Sequence, residues 1–483
     1  MFNKKTLEEL TQVIKMIDKN ISEQCVEIQR KIEENENNII RIKQENINEI
    51  KNSQMLIQSL CSQIENINQK IECIEKNSNE ILNNINLKFM YSNPELTFLE
   101  NTNKTKILIT GFYGAENLGD ELMLETLLNY FDEHKSKISL TIMLANNLDY
   151  DIFKYQGINF IHYPKSKFDY NILANYYDIV IFGGGALIDD KAYSLKENGE
   201  MTLSTTLIEL SRAMLFKNKD VYWIGLSTNS EIKDKSFVSK LKYIIDNITY
   251  ISLRDTNSLQ SLKESNINTQ NVDIVNDIIL ASPLLKQKYP NKLSKSSVNI
   301  GVILICFNEL TEIFNKSFIE ELIRYTENEN ININFIPFYN YRQNDKLYLA
   351  NLSKKYENKV QILDYPDSLS KSIEIFNQQD YIISMRYHGS LLALALKKPL
   401  LSIIWDKHPH YNNKMGYLYQ KYSLDDNVLK VSNATPQKIE EALEKLIRKK
   451  NKSNKINDKI LQESEITLKN IVDKIVYSKI DNK

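Results

Sequence analysis

The stretch KILITGFYGAENLGDELMLETLLNYF (106–131) holds three kinds of sequence in one run. KILIT (106–110) is a short apolar strand pattern. LMLETLLNYF (122–131) carries apolar residues at helical spacing. Between them lie Gly111, Gly114 and Gly119. Strand, glycine loop and helix together form the opening unit of a doubly wound α/β domain. Bare glycine backbone lets amides approach a ligand, and a helix N-terminus favours an anion. The spacing is not G-x-G-x-x-G, and no Gly-Lys-Ser/Thr follows, so neither a dinucleotide fingerprint nor a P-loop is present. Two readings stay open. Gly111, Gly114, Asn117 and Gly119 read either as a ligand cradle or as a tight turn in which Asp120 and Glu121 complement the helix dipole.

The same alternation continues outward. ISLTIML (138–144), DIVIFGG (178–184) and VYWIGLS (221–227) read as strands, with the helix LSTTLIELSRAMLF (203–216) before the last of them. TYISLR (249–254) and VDIVND (272–277) close the set. These strands are apolar without alternation, the pattern of a parallel sheet covered on both faces. After the Lys/Ser-rich NKLSKSS the pattern restarts at VNIGVILI (298–305). ININFIP (331–337), KVQIL (359–363), DYIIS (380–384) and PLLSIIW (399–405) follow. The expected class is α/β, with two doubly wound Rossmann-like domains over 104–290 and 297–450 facing a cleft. A ligand is expected between them at the strand carboxyl ends. A helical tail, 451–483, contains ILQESEITLKNIVDKIV.

Residues 1–95 differ in kind. Pro94 is the first Pro of the chain, and no Gly precedes Gly111. Apolar residues recur at Leu7, Leu10, Ile14, Ile17, Ile21, Cys25, Ile28 and Ile32, then from Ile57 through Leu60, Ile64, Ile67, Ile71 and Ile74 to Ile85. Alternating steps of three and four predict the heptad seam of an α-helical coiled coil. The two successive four-residue steps from Ile17 to Cys25 shift the register and distort the supercoil locally. A continuous helix would extend about 130 Å. A narrow seam is poorly buried on a lone helix, so the expectation is a homo-oligomer; two shorter helices folded on each other is the alternative.

Composition narrows the function. Lys plus Arg number 61 and Asp plus Glu 62, a balance that argues against a nucleic-acid binder. The 4 Cys have neither metal-ligand nor disulfide spacing. No apolar run approaches the ~18 residues of a spanning helix, and the N-terminus lacks a signal-peptide core. The expected location is the cytoplasm or the inner face of the cell membrane. Gly is scarce, 12 in 483 residues, so its clustering is informative.

Three further segments can carry chemistry. Gly183, Gly184 and Gly185 stand at a strand end, where they suit close backbone approach to a ligand or to the other domain; a flexible turn is the alternative. Ser384-Met-Arg386-Tyr-His388-Gly389-Ser390 joins a strand to a helix expected over 390–397. On an extended segment Arg386 and His388 would point the same way and could face one anion. A structural His remains open there. Arg254, directly after a strand, could clamp a carboxylate or pair with Asp255.

Taken in order, GFYGAENLGDELM, IFGGGALIDD, ISLRDTNSLQSL and SMRYHGSLLALALKKPLLSIIWDKH resemble the polysaccharide pyruvyl transferase family, over roughly residues 104–445. The resemblance implies a fold like that of B-type (GT-B) glycosyltransferases. It implies transfer of a pyruvyl group from phosphoenolpyruvate to a sugar of a cell-surface polysaccharide or its precursor, forming a ketal and releasing phosphate. Arg386 and His388 match the family's Arg-x-His motif, which engages the donor. Gly111, Gly114, Asn117, Gly119, Asp120 and Glu121 match its N-terminal glycine motif. On that basis Arg386, with the helix beginning near Gly389 and Ser390, is expected at the donor phosphate and Arg254 at its carboxylate. His388 is the candidate proton donor, and Asp120 or Glu121 the base for the sugar hydroxyl. No cofactor beyond the donor and no metal is expected. The sequence Gly225-Leu-Ser-Thr-Asn-Ser230 departs from the Gly/Pro-rich loop common in the family, which bears on the acceptor. Two rivals are a nucleotide-sugar glycosyltransferase of the same fold and a coiled-coil scaffold with a degenerate enzyme domain. The first lacks its expected carboxylate, since no Asp or Glu lies between Asp380 and Asp406.

Overall fold

A computed structural model describes residues 104–145, 157–164, 167–194, 202–229, 231–287, 297–305, 308–327, 329–340, 344–356, 359–422, 428–448 and 456–478, with six isolated helical positions nearer the N-terminus. The heptad arm predicted over 1–95 lies otherwise outside the described residues. Compact units separate at Asn93/Pro94, and the second, Pro94–Lys483, contains both sheets.

The first sheet has seven parallel strands in the order β3-β2-β1-β4-β5-β6-β7. They are β1 (Thr105–Thr110), β2 (Ile138–Leu144), β3 (Asn159–His162), β4 (Ile179–Ile188), β5 (Asp220–Thr228), β6 (Tyr250–Leu253) and β7 (Val272–Ile274). The second has six parallel strands in the order β10-β9-β8-β11-β12-β13. These are β8 (Val298–Ile303), β9 (Ile331–Phe335), β10 (Val360–Ile362), β11 (Tyr381–Ser384), β12 (Leu400–Ile404) and β13 (Val428–Lys430). Ile, Val and Leu dominate β1, β4, β11 and β12, and these strands bury both faces. Such strands need helices on either side, and the intervening segments supply them.

Each sheet reverses its strand order once. The reversals fall between β1 and β4 and between β8 and β11. The loops leaving these strands diverge there, opening a crevice at the carboxyl ends. The glycine motif follows β1, and Arg386 follows β11.

Two differences from the sequence expectation stand out. β4 does not end at the triple glycine but runs through it. Gly183 and Gly185 pair with Ile224 and Leu226 of β5, and the register shifts between Gly185 and Ile188. Gly184 and Gly185 have φ of +71° and +92°, so the triplet is a bulged strand rather than a turn. Its use is packing, because a Cβ on Gly184 would come within 2.4 Å of Met123 Sδ on the helix Leu118–Asp132. The short edge strands β3 and β13 were not anticipated.

The two sheets share an apolar core. Leu118, Leu122 and Ile278 from the first half cluster with Ile303, Tyr387 and Leu391 from the second. Backbone links cross the boundary too. Leu118 N donates to Phe338 O at 2.9 Å, Asn340 N donates to Glu116 O at 3.1 Å, and Asn117 forms an antiparallel bridge with Tyr339. The tail helix Asp458–Tyr477 returns to the first half, where Lys469 pairs with Glu133 and His134 with Asp473. Among the described residues no helix is long and apolar enough to cross a membrane.

Candidate active site

The helix Leu118–Asp132 begins at the crevice, and its N-cap position, Asn117, makes no side-chain cap. Asp120 sits in its first turn, buried, with Gly185 of the bulge beneath it; a Cβ on Gly185 would lie 3.3 Å from Asp120 Oδ1. From the second half comes the helix Tyr387–Ala395. It starts three residues before the expected position, because Ser384 Oγ accepts from Arg386 N at 3.1 Å and donates to Arg386 O at 2.9 Å, closing a tight turn. Arg386 is therefore the N-cap and His388 the second helical residue. They do not share one extended segment, and their side chains go to different partners.

Arg386 Nη2 donates to both oxygens of Asp345, each at 2.9 Å. Asp345 Oδ2 also accepts from Phe338 N and Tyr339 N at 2.9 Å. Arg386 thereby holds the loop that bridges to Asn117. Its buried Nε has no partner.

His388 turns instead toward Arg254 and Asp277. Arg254 Nη1 donates to Asp277 Oδ2 at 2.8 Å. His388 Nε2 lies 3.4 Å from that same carboxylate oxygen and 3.4 Å from Arg254 Nη1. Asp277 Oδ1 accepts from Ile279 N at 3.2 Å. The open choice at Arg254-Asp255 resolves toward Asp277, since Asp255 caps the helix Thr256–Glu264 through Ser258 N at 2.6 Å. Arg254 is 2% exposed, and its buried Nη2 has no partner.

Burial dominates the electrostatics. It pushes the His388 imidazole down to about 4 against the pull of Asp277, so His388 is neutral at pH 7. Burial alone would raise Asp277, but His388 and Arg254 hold its carboxyl well below the usual range. With His388 neutral, Arg254 is the charge that does so at pH 7. Burial lifts Asp120 to about 6, although Lys414, Arg254 and Arg386 oppose it. Burial lowers Lys414 to about 7, reinforced by Arg254. Asp120 thus feels charges contributed by both halves, from Lys414, Arg254, Asp277 and Arg386.

The remaining predicted residues divide into framework and site. Gly111 O accepts from Tyr163 OH, and Gly183 O accepts from Tyr113 OH. Gly114 has φ of +72°. Ser390 Oγ bonds Ser402 Oγ at 3.0 Å on β12, and Gly389 packs on Ser384, so both hold the helix to its strands. Glu121 follows Asp120 in the first helical turn. The sequence reading missed Asp277, Asp345 and Lys414. Asp277 lay within VDIVND, where a carboxylate just after a strand was a usable signal. Asp345 and Lys414 are ordinary helical residues that only the tertiary fold brings in.

The family model for polysaccharide pyruvyl transferases matches residues 117–407, more than half of the chain. The chain belongs to the polysaccharide pyruvyl transferase family. It is therefore an enzyme of a carbohydrate-modifying transferase family, and the matched span contains Asp120, Arg254, Asp277, Arg386 and His388. The comparison with curated proteins finds no match. Among solved structures, the UDP-GlcNAc 2-epimerase of Methanocaldococcus jannaschii is similar at 13% identity and a TM-score of 0.50, covering 76% of this chain and 99% of the other. A Listeria monocytogenes protein assigned as a UDP-N-acetylglucosamine 2-epimerase is similar at 12% identity and a TM-score of 0.51, covering 79% and 98%. At such identities the likeness is one of fold. This pyruvyl transferase family member has the two-domain GT-B-like architecture expected from its sequence.

Proposed function

We propose that this pyruvyl transferase family member moves the pyruvyl group of phosphoenolpyruvate onto two hydroxyls of a polysaccharide sugar, or of its precursor. The observation that carries the reading is the Arg254–Asp277–His388 cluster beside Asp120, at the crevice between the two switch points. A trianionic donor needs cations and free amide donors in a dry site. Arg254 offers an unpartnered Nη2, and the uncapped start of the helix Tyr387–Ala395 offers amides.

In the proposed reaction one sugar hydroxyl bonds to C2 of the donor while C3 gains a proton and becomes a methyl group. The C2–O bond to phosphate then breaks. A second hydroxyl adds to C2 and closes the ketal, and the protons lost by the two hydroxyls balance those gained by C3 and phosphate. Asp277 orients the neutral His388, which suits it to accept a hydroxyl proton rather than to deliver one at pH 7. Asp120, lifted to about 6, can carry a proton either way near neutrality. The donor alone suffices as co-substrate, with no separate cofactor. The heptad arm holds copies of the chain together; Ile64→Glu with Ile71→Glu should lower the mass measured by ultracentrifugation.

Incubation with phosphoenolpyruvate and a hydroxyl-bearing acceptor glycan tests the reading. Release of inorganic phosphate together with a pyruvyl mass increment on the glycan is expected. Transfer of a sugar from a nucleotide-sugar, with no reaction of phosphoenolpyruvate, would overturn it.

A further inference from the structure

Two cations share one aromatic ring in the crevice. Arg254 Cζ lies 4.8 Å from the Tyr387 ring centroid, and Lys414 Nζ lies 5.0 Å from it. Lys414 comes from the helix Pro409–Tyr422, past residue 407, where the family match ends. Both cations line a small cleft with Ser227, Thr228, Asn257 and Asp255, whose carboxylate is engaged as the cap of the helix Thr256–Glu264.

Both cations of this cleft keep unused donor capacity. Asp277 is taken up by Arg254 Nη1, while Nη2 of the same guanidinium is buried without a partner. Among the described residues no carboxylate oxygen lies within ion-pair distance of Lys414 Nζ. Burial and Arg254 work against the charge of Lys414, while Asp120, Asp277 and Asp255 support it, so an added anion would strengthen that support. The hydroxyl of Ser227 adds a neutral polar group to the rim. A dianion suits this set, because its charge would hold Lys414 protonated beside Arg254. Arg386, the other cation expected at the donor, has its Nη2 occupied by Asp345.

We propose that Lys414 and Arg254 together hold the phosphate of phosphoenolpyruvate above the Tyr387 ring. This rests on the donor reading and moves Arg254 from the carboxylate to the phosphate. Lys414 is then a specificity-determining residue.

The test compares the full-length wild type with Lys414→Gln and Lys414→Arg. Calorimetry with phosphoenolpyruvate and with inorganic phosphate should show affinity falling about 10- to 100-fold in Lys414→Gln, as expected for loss of one charge-assisted contact. In turnover the loss should appear in KM for phosphoenolpyruvate more than in kcat. Lys414→Arg should recover most of the affinity, which a residue needed only for packing would not do. Circular dichroism and melting confirm that the variants are folded. Equal affinity of wild type and Lys414→Gln for both anions would overturn the proposal. If wild type binds inorganic phosphate through Lys414 yet ignores phosphoenolpyruvate, the donor reading fails and the anion pocket stands.

Discussion

The imidazole of His388 occupies the space that a side chain at position 119 would need. A Cβ built on Gly119 would lie 1.8 Å from His388 Nδ1. One residue comes from the first turn after β1 and the other from the first turn after β11, so the glycine is a fitting between the two halves. Gly119→Ala should force the imidazole away from Asp277 and cost at least about 100-fold in kcat, since small misplacements of reacting groups have effects of that size. The measurement is phosphate release at saturating donor, with melting as the control. Wild-type turnover in a folded Gly119→Ala would show that the contact is not needed.

Asp277 and Asp255 lie on either side of β7 and should behave very differently. Asp277→Asn leaves Arg254 buried without its counter-charge, and breaking a buried pair costs roughly 3–5 kcal/mol. It also frees His388 to rotate, so activity should fall with stability. Asp255→Asn keeps a helix cap, where Asn is as good as Asp, and leaves the Arg254–Asp277 pair in place. Denaturant melts of the two variants should differ by several kcal/mol, and equal midpoints would count against the ion pair as the important contact.

Much of this fold was legible in the sequence. β2 and the helix Leu203–Phe216 fall on their expected residues, since long apolar runs between polar breaks leave little choice of boundary. The triple glycine reads as a strand end suited to close backbone approach by a ligand or the other domain. Its pairing with β5 depends on neighbours far along the chain, which the sequence does not display. Arg386 and His388 were recognised as a pair, yet the turn made by Ser384 sends them to Asp345 and Asp277. A two-residue spacing predicts a shared direction only while the backbone stays extended. Lys414 illustrates the other limit, since nothing in its local sequence distinguishes it from an exposed helical lysine.

Asp345 ties Arg386 to the amides of Phe338 and Tyr339, and Phe338 O in turn accepts from Leu118 N. Asp345→Ala should therefore loosen the bridge between the halves as well as leave Arg386 unpaired. The expected loss is about 3 kcal/mol or more, accompanied by faster hydrogen exchange at the Leu118 and Asn340 amides. Unchanged exchange at those two amides would confine the role of Asp345 to Arg386.

Acid titration should separate His388 from Asp120, because their burial acts with opposite sign. The folded His388 titrates at about 4 and an unfolded histidine near 6.5. Between those values the unfolded chain takes up a proton that the folded chain refuses, so stability falls as pH is lowered. The folded Asp120 titrates at about 6 and an unfolded aspartate near 3.8. There the folded chain takes up the proton first, so stability rises as pH is lowered. Each effect amounts to about 3 kcal/mol at full extent, and in the wild type they should nearly cancel between pH 6.5 and 4.5. Asp120→Asn removes the compensation, and its melting temperature should drop as the buffer is acidified across that range. His388→Gln should do the reverse and melt higher at pH 4.5 than at pH 6.5. Parallel pH profiles for the two variants would mean that neither group is buried in the protonation state assigned to it.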